Sequence, residues 1–171
     1  MTPSGRSPRR VDPPTVDPDL FRSVLGRFAS GITIVTARDG DGRDHGMTVS
    51  AFCSVSLEPP LVLVCIGHDA TMHPLVGSLE HFAINILGSE QEALSRRFAS
   101  KDIQRFEGIG FTRGESGVAL LDGVLGWLEC RTETRHDAGD HTVLVGRVEA
   151  ALAGDGRPLL YYRGGYAQLE R

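Results

Sequence analysis

The stretch GMTVSAFCSVS, residues 46–56, alternates hydroxyl side chains with apolar ones. Successive side chains of a β-strand point to opposite faces, so the pattern predicts one strand with a hydroxyl face and an apolar face. The hydroxyl face is either the half-exposed edge of a barrel or the lining of a groove for a polar, anionic ligand, and the pattern leaves both open. Its members are Thr48, Ser50, Ser54 and Ser56.

The segments around this stretch are also strand-like. GITIVTA, residues 31–37, is rich in β-branched residues and precedes the turn signal DGDG. Pro59 and Pro60 separate the central stretch from LVLVCIG, residues 61–67, because proline cannot donate to a sheet ladder. Four more strands are predicted near residues 82–87, 126–136, 141–152 and 158–162, the second and third of them joined as a hairpin.

Three helices are predicted between the strands. Asp17 and Pro18 begin the first, whose apolar residues recur at helical spacing and which ends near Gly31. A short helix covers residues 72–79, and a capping box at Ser89 opens another that ends near Ala99. Strands outnumber helices without βαβ alternation, which predicts a mainly β fold, an antiparallel barrel or sandwich with a few covering helices.

Composition limits the class of protein. Residues 1–17, rich in Pro, Arg, Asp and Ser, are predicted to form a disordered tail, and residues 18–171 one domain. The formal net charge of -4 argues against a nucleic-acid surface, and no segment is long enough to span a membrane. Three widely spaced cysteines do not form a disulfide framework; they are expected to act as small apolar residues in a cytoplasmic protein.

Familiar chemical motifs are missing. The sequence contains no GxGxxG after a strand, no GxxxxGK[ST] and no GxSxG. His68 and His73 are close in sequence, but a spacing of five does not put both imidazoles on one helical face, so no metal site is predicted. His141 follows a turn. It is either an exposed residue with no ligand or an imidazole at a barrel mouth that binds a ligand. An aromatic cluster near the C-terminus contains Tyr161, Tyr162, Tyr166 and Arg163. It could stack on a planar ligand or pack in a dimer interface, and packing is the favoured interpretation.

Together these segments resemble the short-chain flavin reductase family, the reductase components of two-component flavin-dependent monooxygenases. The resemblance covers residues 20–169, and the order of the motifs carries it. The matching stretches are FASGITIVT at 28–36, GMTVSAF at 46–52, SVSLEPPLV at 54–62, Asn85, LSRRFA at 94–99, WLEC at 127–130, GDHT at 139–142 and LYYRG at 160–164.

The resemblance implies a split antiparallel β-barrel of Greek-key type, the FMN-binding split barrel, in a homodimer. It also implies that NADH, or sometimes NADPH, reduces FMN or FAD, and that the reduced flavin diffuses to a separate monooxygenase. A non-catalytic flavin-binding or ligand-sensing module on the same fold remains the alternative.

Site residues follow from the same resemblance. It implies that Thr71 helps to hold the flavin phosphate and that His141 positions the nicotinamide. This chain departs from many relatives at Ala51, where they carry a hydroxyl, and at His68, where they carry lysine. The residues expected to bind flavin are Gly46, Met47, Thr48, Val49, Ser50, Ala51, Cys65, Ile66, Gly67, Thr71, Ser89 and Gln91.

Overall fold

A seven-stranded antiparallel sheet forms the body of the protein. The computed structural model describes residues 16–101 and 104–169, so the predicted tail lies almost entirely outside the described residues. The strands of the sheet are β2 (Thr33–Arg38), β3 (Asp44–Val49), β4 (Phe52–Ser56), β5 (Leu61–Gly67), β6 (His81–Ile86), β9 (Gly126–Ala138) and β10 (His141–Ala153). Their order is β3-β2-β6-β9-β10-β5-β4. The prediction of a mainly β fold is confirmed.

The two edge strands of this sheet are neighbours in the chain. Only Ser50 and Ala51 separate β3 from β4. A flat sheet of seven strands is about 29 Å wide at 4.8 Å per strand, whereas the three peptide units from Val49 to Phe52 reach at most about 11 Å. The sheet must therefore curl until its edges lie side by side. We call the junction at residues 50–51 the seam.

The prediction of one continuous strand over residues 46–56 is wrong. The backbone N–H of Phe52 donates to the Ser50 carbonyl (3.0 Å), which closes a tight turn at the seam. The halves then pair with different partners, β3 with β2 and β4 with β5. The four hydroxyl residues consequently do not share one uninterrupted strand face.

The helices lie outside the sheet: α1 (Pro18–Leu25), α2 (His73–Val76), a 3₁₀ turn (Ser89–Gln91) and α3 (Glu92–Ala99). The Asp17 carboxylate accepts from the backbone N–H groups of Asp19 and Leu20, which confirms the predicted N-cap. α1 ends at Leu25, earlier than predicted, because the chain turns at Gly26. None of the helices in the described ranges is long and apolar enough to cross a membrane.

Two further helix predictions need correction. The helix predicted at residues 72–79 is only the short α2. The cap of the 3₁₀ turn comes from Gln91, whose Oε1 accepts from the backbone N–H of Gly88 (2.9 Å), rather than from Ser89. The Ser89 hydroxyl donates to the adjacent Glu90 carboxylate instead.

Short strands complete the architecture. β1 (Ser30–Gly31), β11 (Leu160–Tyr162) and β12 (Gly165–Ala167) form a small sheet, and β7 (Phe111–Arg113) pairs with β8 (Ala119–Leu121). The β7–β8 pair was not predicted. The predicted hairpin between β9 and β10 is confirmed, with Gly139 and Asp140 as its loop. Gly139 has a φ of +67°, a conformation that favours glycine.

The buried side chains form two main clusters, one inside the curled sheet and one beneath α3. The first contains Val35, Val64, Phe82, Ile84 and Leu144, and the second Ile34, Leu87, Phe98, Leu121 and Leu159. Asn85 is fully buried and connects β6 to its surroundings. Its side-chain amide donates to the Ile34 carbonyl, and its oxygen accepts from the backbone N–H of Leu121. These bonds fix β8 against the sheet.

Candidate active site

The seam brings together residues from three separate segments. The backbone N–H of Cys65 donates to the Ala51 carbonyl (3.0 Å), and His141, the first residue of β10, pairs with Gly67, the last residue of β5. A Cβ atom at Gly67 would lie 3.0 Å from Asp69 Oδ1 and 3.5 Å from His141 Nε2. Glycine therefore leaves room beside the imidazole, and the end of β5 lies between His141 on one side and Ala51 on the other.

His141 has one ring nitrogen fixed and the other open. Its side chain is about half exposed, and its Nδ1 lies 2.6 Å from Asp140 Oδ1. This hydrogen bond lowers the pKa of the Asp140 carboxyl. An ionised carboxylate only accepts hydrogen bonds, so Nδ1 donates to Asp140, and in the neutral form of the ring Nε2 is an acceptor. The imidazole is thus oriented to bind an N–H donor of a ligand.

Two adjoining cavities open beside β3. The inner cavity, about 230 Å³, is lined by Met47, Thr48, Asp69, Ala70, Thr71, Phe98, Ala99, Ser100, Lys101 and Arg105. The outer cavity, about 460 Å³, is lined by Arg43, Asp44, His45, Gly46, Thr71, Met72, Lys101, Arg105 and Phe106. They share Thr71, Lys101 and Arg105. Gly46, Met47 and Thr48 of β3 therefore share these cavities with Thr71.

Several expected site residues are already engaged by the protein. The Thr48 hydroxyl donates to the Ser95 carbonyl of α3 (2.6 Å). Val49 and Ile66 are buried in the core, so only their backbone could face a ligand. Ser50 and Ala51 are exposed. Ser89 and Gln91 line neither cavity.

The packing of α3 on β3 requires glycine at position 46, whether or not a ligand binds there. A Cβ atom at this position would lie 2.6 Å from Cε1 and 2.8 Å from Cδ1 of Phe98. Phe98 is buried and its ring contacts Phe106 edge-on at 5.1 Å between centroids. The glycine therefore allows α3 to pack closely on β3, and its presence alone does not identify a flavin site.

The basic residues of the cavities were missed in the sequence. Arg105 donates to the Gly46 carbonyl (2.6 Å) and to the Ser100 carbonyl, which holds the loop after α3 against β3. Lys101 lies two residues after the end of α3 and lines both cavities. Cations that follow the helix are the local signal in the sequence, and they do not reveal which strand they will face.

His68 and His73 lie together, although their spacing does not put both imidazoles on one helical face. Their ring centroids are 4.7 Å apart, and both Nε2 atoms approach the Thr142 hydroxyl, at 3.4 and 3.1 Å. The argument assumed a helix through both residues, whereas α2 begins only at His73 and a turn precedes it. Within residues 16–101 and 104–169, no group of three or more side chains suited to a metal ion was found.

The three cysteines differ in exposure. Cys53 is exposed, Cys65 is half-buried and Cys130 is buried. The expectation that all three act as buried apolar residues therefore holds for Cys130 but not for Cys53. Burial is the main cause that raises the pKa of the Cys130 thiol to about 12, with smaller effects from Glu149 and Glu129.

We expect Cys130 to resist alkylation in the folded protein. Because the thiolate is the nucleophile and each pKa unit changes its population tenfold, Cys130 should react about a thousandfold more slowly in the folded protein than in denaturant. Peptide mass spectrometry after iodoacetamide treatment measures this rate, with Cys130→Ser identifying the peptide. Equal rates in the folded and unfolded chains would contradict the burial.

The comparison with known proteins identifies the family of this chain. Residues 25–170 match the family model described as flavin reductase like domain. The chain belongs to the flavin reductase family. It is 39% identical over 152 residues to a flavin reductase of Pseudomonas putida, covering 88% of this chain and 89% of that protein. It is 45% identical over 159 residues to an NADH-dependent flavin reductase of Rhodococcus sp, covering 92% and 89%.

Solved structures of flavin reductases share this fold. An NADH:FAD oxidoreductase of Streptomyces globisporus C-1027, in complex with NAD and FAD fragments, superposes with a TM-score of 0.85 at 35% identity over 92% of this chain and 98% of that chain. The flavin reductase component of a bacterial two-component tryptophan halogenase gives 0.82 at 35% identity over 91% and 99%. The family and the split-barrel fold expected from the sequence are therefore confirmed.

Proposed function

We propose that this protein is an NAD(P)H-dependent flavin reductase that supplies reduced FMN or FAD to a separate monooxygenase. The observation that carries the proposal is the end of β5, where the oriented imidazole of His141 lies beside Gly67 on one edge of the strand, and where Cys65 bonds the exposed turn at residues 50–51 on the other edge. The relatives named as flavin reductases and as reductase subunits of flavin-dependent monooxygenases support the same activity.

The residues at the seam fit a flavin. Among the described strands β3 pairs with β2 alone, so backbone N–H and C=O groups along its other side, apart from the Gly46 carbonyl that accepts from Arg105, are available to the polar edge of an isoalloxazine ring. Thr71, Lys101 and Arg105 between the two cavities suit a phosphate, which binds hydroxyl donors and cations. A bound flavin would supply the hydride-accepting ring, and the protein would supply position and electrostatics.

His141 would orient the nicotinamide. Hydride transfer between two rings requires no protein nucleophile, so the gain comes from holding the rings at reacting distance. With Nδ1 fixed by Asp140, the His141 Nε2 atom can accept a hydrogen bond from the nicotinamide carboxamide. His141 is therefore proposed as the residue that positions the nicotinamide.

The experiment that separates catalysis from binding is anaerobic mixing. Purified protein with an equal amount of flavin is mixed with NADH, and the loss of oxidised flavin absorbance is followed. A reductase accelerates this loss far beyond the rate of free flavin with NADH. A flavin-binding module, the alternative, would bind the flavin and leave the rate unchanged.

We further propose that the protein is a homodimer. α1 has no buried residue, and four of its apolar side chains are each more than half exposed. They are Leu20, Phe21, Val24 and Leu25. Contiguous exposed apolar surface of this kind marks an interaction site. A second copy of the chain would cover it with the same surface, because twofold symmetry makes an interface self-complementary.

Charge on the apolar face of α1 should weaken this dimer. We expect Val24→Glu to lower the apparent mass measured by sedimentation, because a carboxylate would be buried without a partner. Ser23→Glu, on the same helix, is the matched control and should leave the dimer intact. A wild-type protein that sediments as a monomer at every concentration would contradict the proposal.

A further inference from the structure

Two histidines tie both ends of the loop that follows β5 to one hydroxyl group. The Nε2 atom of His73 lies 3.1 Å from Thr142 Oγ1, and the Nε2 atom of His68 lies 3.4 Å from the same oxygen. Thr142 is buried on β10, where it pairs with Ile66 of β5. The segment of residues 68–73, which we call the 68–73 loop, is therefore fixed at its two ends to a single residue of a neighbouring strand.

Asp137 sets the direction of these hydrogen bonds. The Thr142 hydroxyl donates to Asp137 Oδ1 at 3.3 Å, and a hydroxyl has a single proton to donate. Its oxygen is therefore an acceptor toward the imidazoles, and His73 donates its Nε2–H to Thr142. The His68 ring packs against the His73 ring, with 4.7 Å between centroids and 55° between the planes. The His73 side chain is thus held by a hydrogen bond and by a ring contact.

Between its two fixed ends, the 68–73 loop carries part of the cavity lining. Ala70 and Thr71 line the inner cavity, and Thr71 also lines the outer one. Thr71 is exposed, whereas the next residue, Met72, is buried in the core. The backbone N–H of His73 donates to the Ala70 carbonyl (3.0 Å), which closes a turn around Thr71. The position of Thr71 therefore depends on where His73 is held, because a single residue separates them.

We propose that His73 and Thr142 are positioning residues for Thr71 in flavin binding. Their hydrogen bond holds the 68–73 loop against β10, so that the Thr71 hydroxyl stays where the two cavities meet. The proposal rests on the reductase function above, in which Thr71 and the neighbouring cations bind the flavin phosphate. Neither His73 nor Thr142 lines either cavity, so both act through the loop. A group that binds a ligand must be held within about 0.5 Å of its productive position, which gives such a remote contact its effect.

Riboflavin, which lacks the phosphate, separates this role from a general structural one. Titration of the full chain into FMN and into riboflavin, followed by flavin fluorescence, gives both affinities without turnover. We expect His73→Leu to weaken FMN about three- to tenfold, the range for one lost hydrogen bond, and to leave riboflavin within about twofold. His73→Gln should bind FMN like the wild type, because the glutamine amide supplies an N–H donor in place of Nε2. Thr142→Val should behave like His73→Leu, and Thr142→Ser, which keeps the hydroxyl, like the wild type.

A double-mutant cycle tests whether His73 acts through Thr71. In a Thr71→Ala background the hydroxyl is gone, so His73→Leu should weaken FMN less than about twofold further. His136→Leu is the matched control, because the His136 imidazole is exposed and its Nε2 contacts only a hydroxyl of its own strand, that of Thr134 (3.0 Å). It should leave both flavin affinities unchanged.

Equal weakening of FMN and riboflavin by His73→Leu overturns the assignment, and so do additive effects of His73→Leu and Thr71→Ala. Loss of FMN binding in both His73→Gln and Thr142→Ser, or equal affinity of the wild type for the two flavins, also overturns it. A wild type that prefers FMN, loses the preference in His73→Leu and does not oxidise NADH would sustain the positioning role while contradicting the reductase function.

Discussion

Phe82→Ala should lower the free energy of unfolding by about 3 to 5 kcal/mol, the usual cost of removing a buried aromatic ring. Phe82 lies on β6 with no exposed surface, inside the curled sheet. Its ring reaches across Cys130 on β9 to Gly146 on β10, because a Cβ atom at Gly146 would lie 2.5 Å from Phe82 Cζ and 3.0 Å from Cys130 Cβ. Urea unfolding followed by circular dichroism measures the loss.

The contact with Gly146 supplies a sharper test of the same packing. We expect Gly146→Ala alone to cost about 1 to 3 kcal/mol, because the added methyl group overpacks the core. In a Phe82→Leu background the ring is gone, and the cost of Gly146→Ala should fall by half or more. Additive effects, with a coupling energy below about 0.5 kcal/mol, would show that the ring and the glycine do not contact each other.

The second large effect concerns the nicotinamide. We expect His141→Ala to raise the KM for NADH about tenfold, which corresponds to one hydrogen bond of about 1.4 kcal/mol. Flavin affinity should change less than about twofold, because the proposed flavin contacts come from β3 and from Thr71, Lys101 and Arg105. Steady-state kinetics give the KM, and a fluorescence titration gives the flavin affinity. Equal losses of NADH and flavin binding would indicate that His141 has a structural role instead.

Asp140→Asn should act in the same direction with a smaller effect. The carboxylate that fixes the Nδ1–H tautomer of His141 becomes an amide, which weakens the orientation of the ring. Because the folded pKa of Asp140 is lowered, the pairing is present above the ordinary aspartate range and is lost only as the pH falls through the lowered value. The difference between wild type and Asp140→Asn should therefore persist throughout the neutral range.

Local patterns in the sequence account for most of the strands. β5 was predicted at residues 61–67 and occupies Leu61–Gly67, because an apolar, β-branched run bounded by prolines and a turn identifies a strand without reference to the rest of the chain. The break at residues 50–51 has no such signal. The alternation continues on both sides of it, and the pairing of the two halves with two different strands, β2 and β5, decides where the chain turns.

The candidate site also contains residues that could be predicted from the sequence and residues that could not. The resemblance placed His141 and Gly67 at one site, and the pairing of β5 with β10 brings them together. Lys101 and Arg105 escaped prediction because their position depends on how α3 packs against Gly46. α1 was predicted from the helical spacing of its apolar residues. That spacing did not show that its apolar face is left exposed by the described part of the chain.

NADH oxidation by the purified full-length protein, with FMN, FAD or no flavin added, tests the central claim most directly. The reductase function predicts rapid oxidation that depends on added flavin. No oxidation above the protein-free rate, with either flavin and with either NADH or NADPH, would contradict the claim and leave a flavin- or ligand-binding module on the same fold.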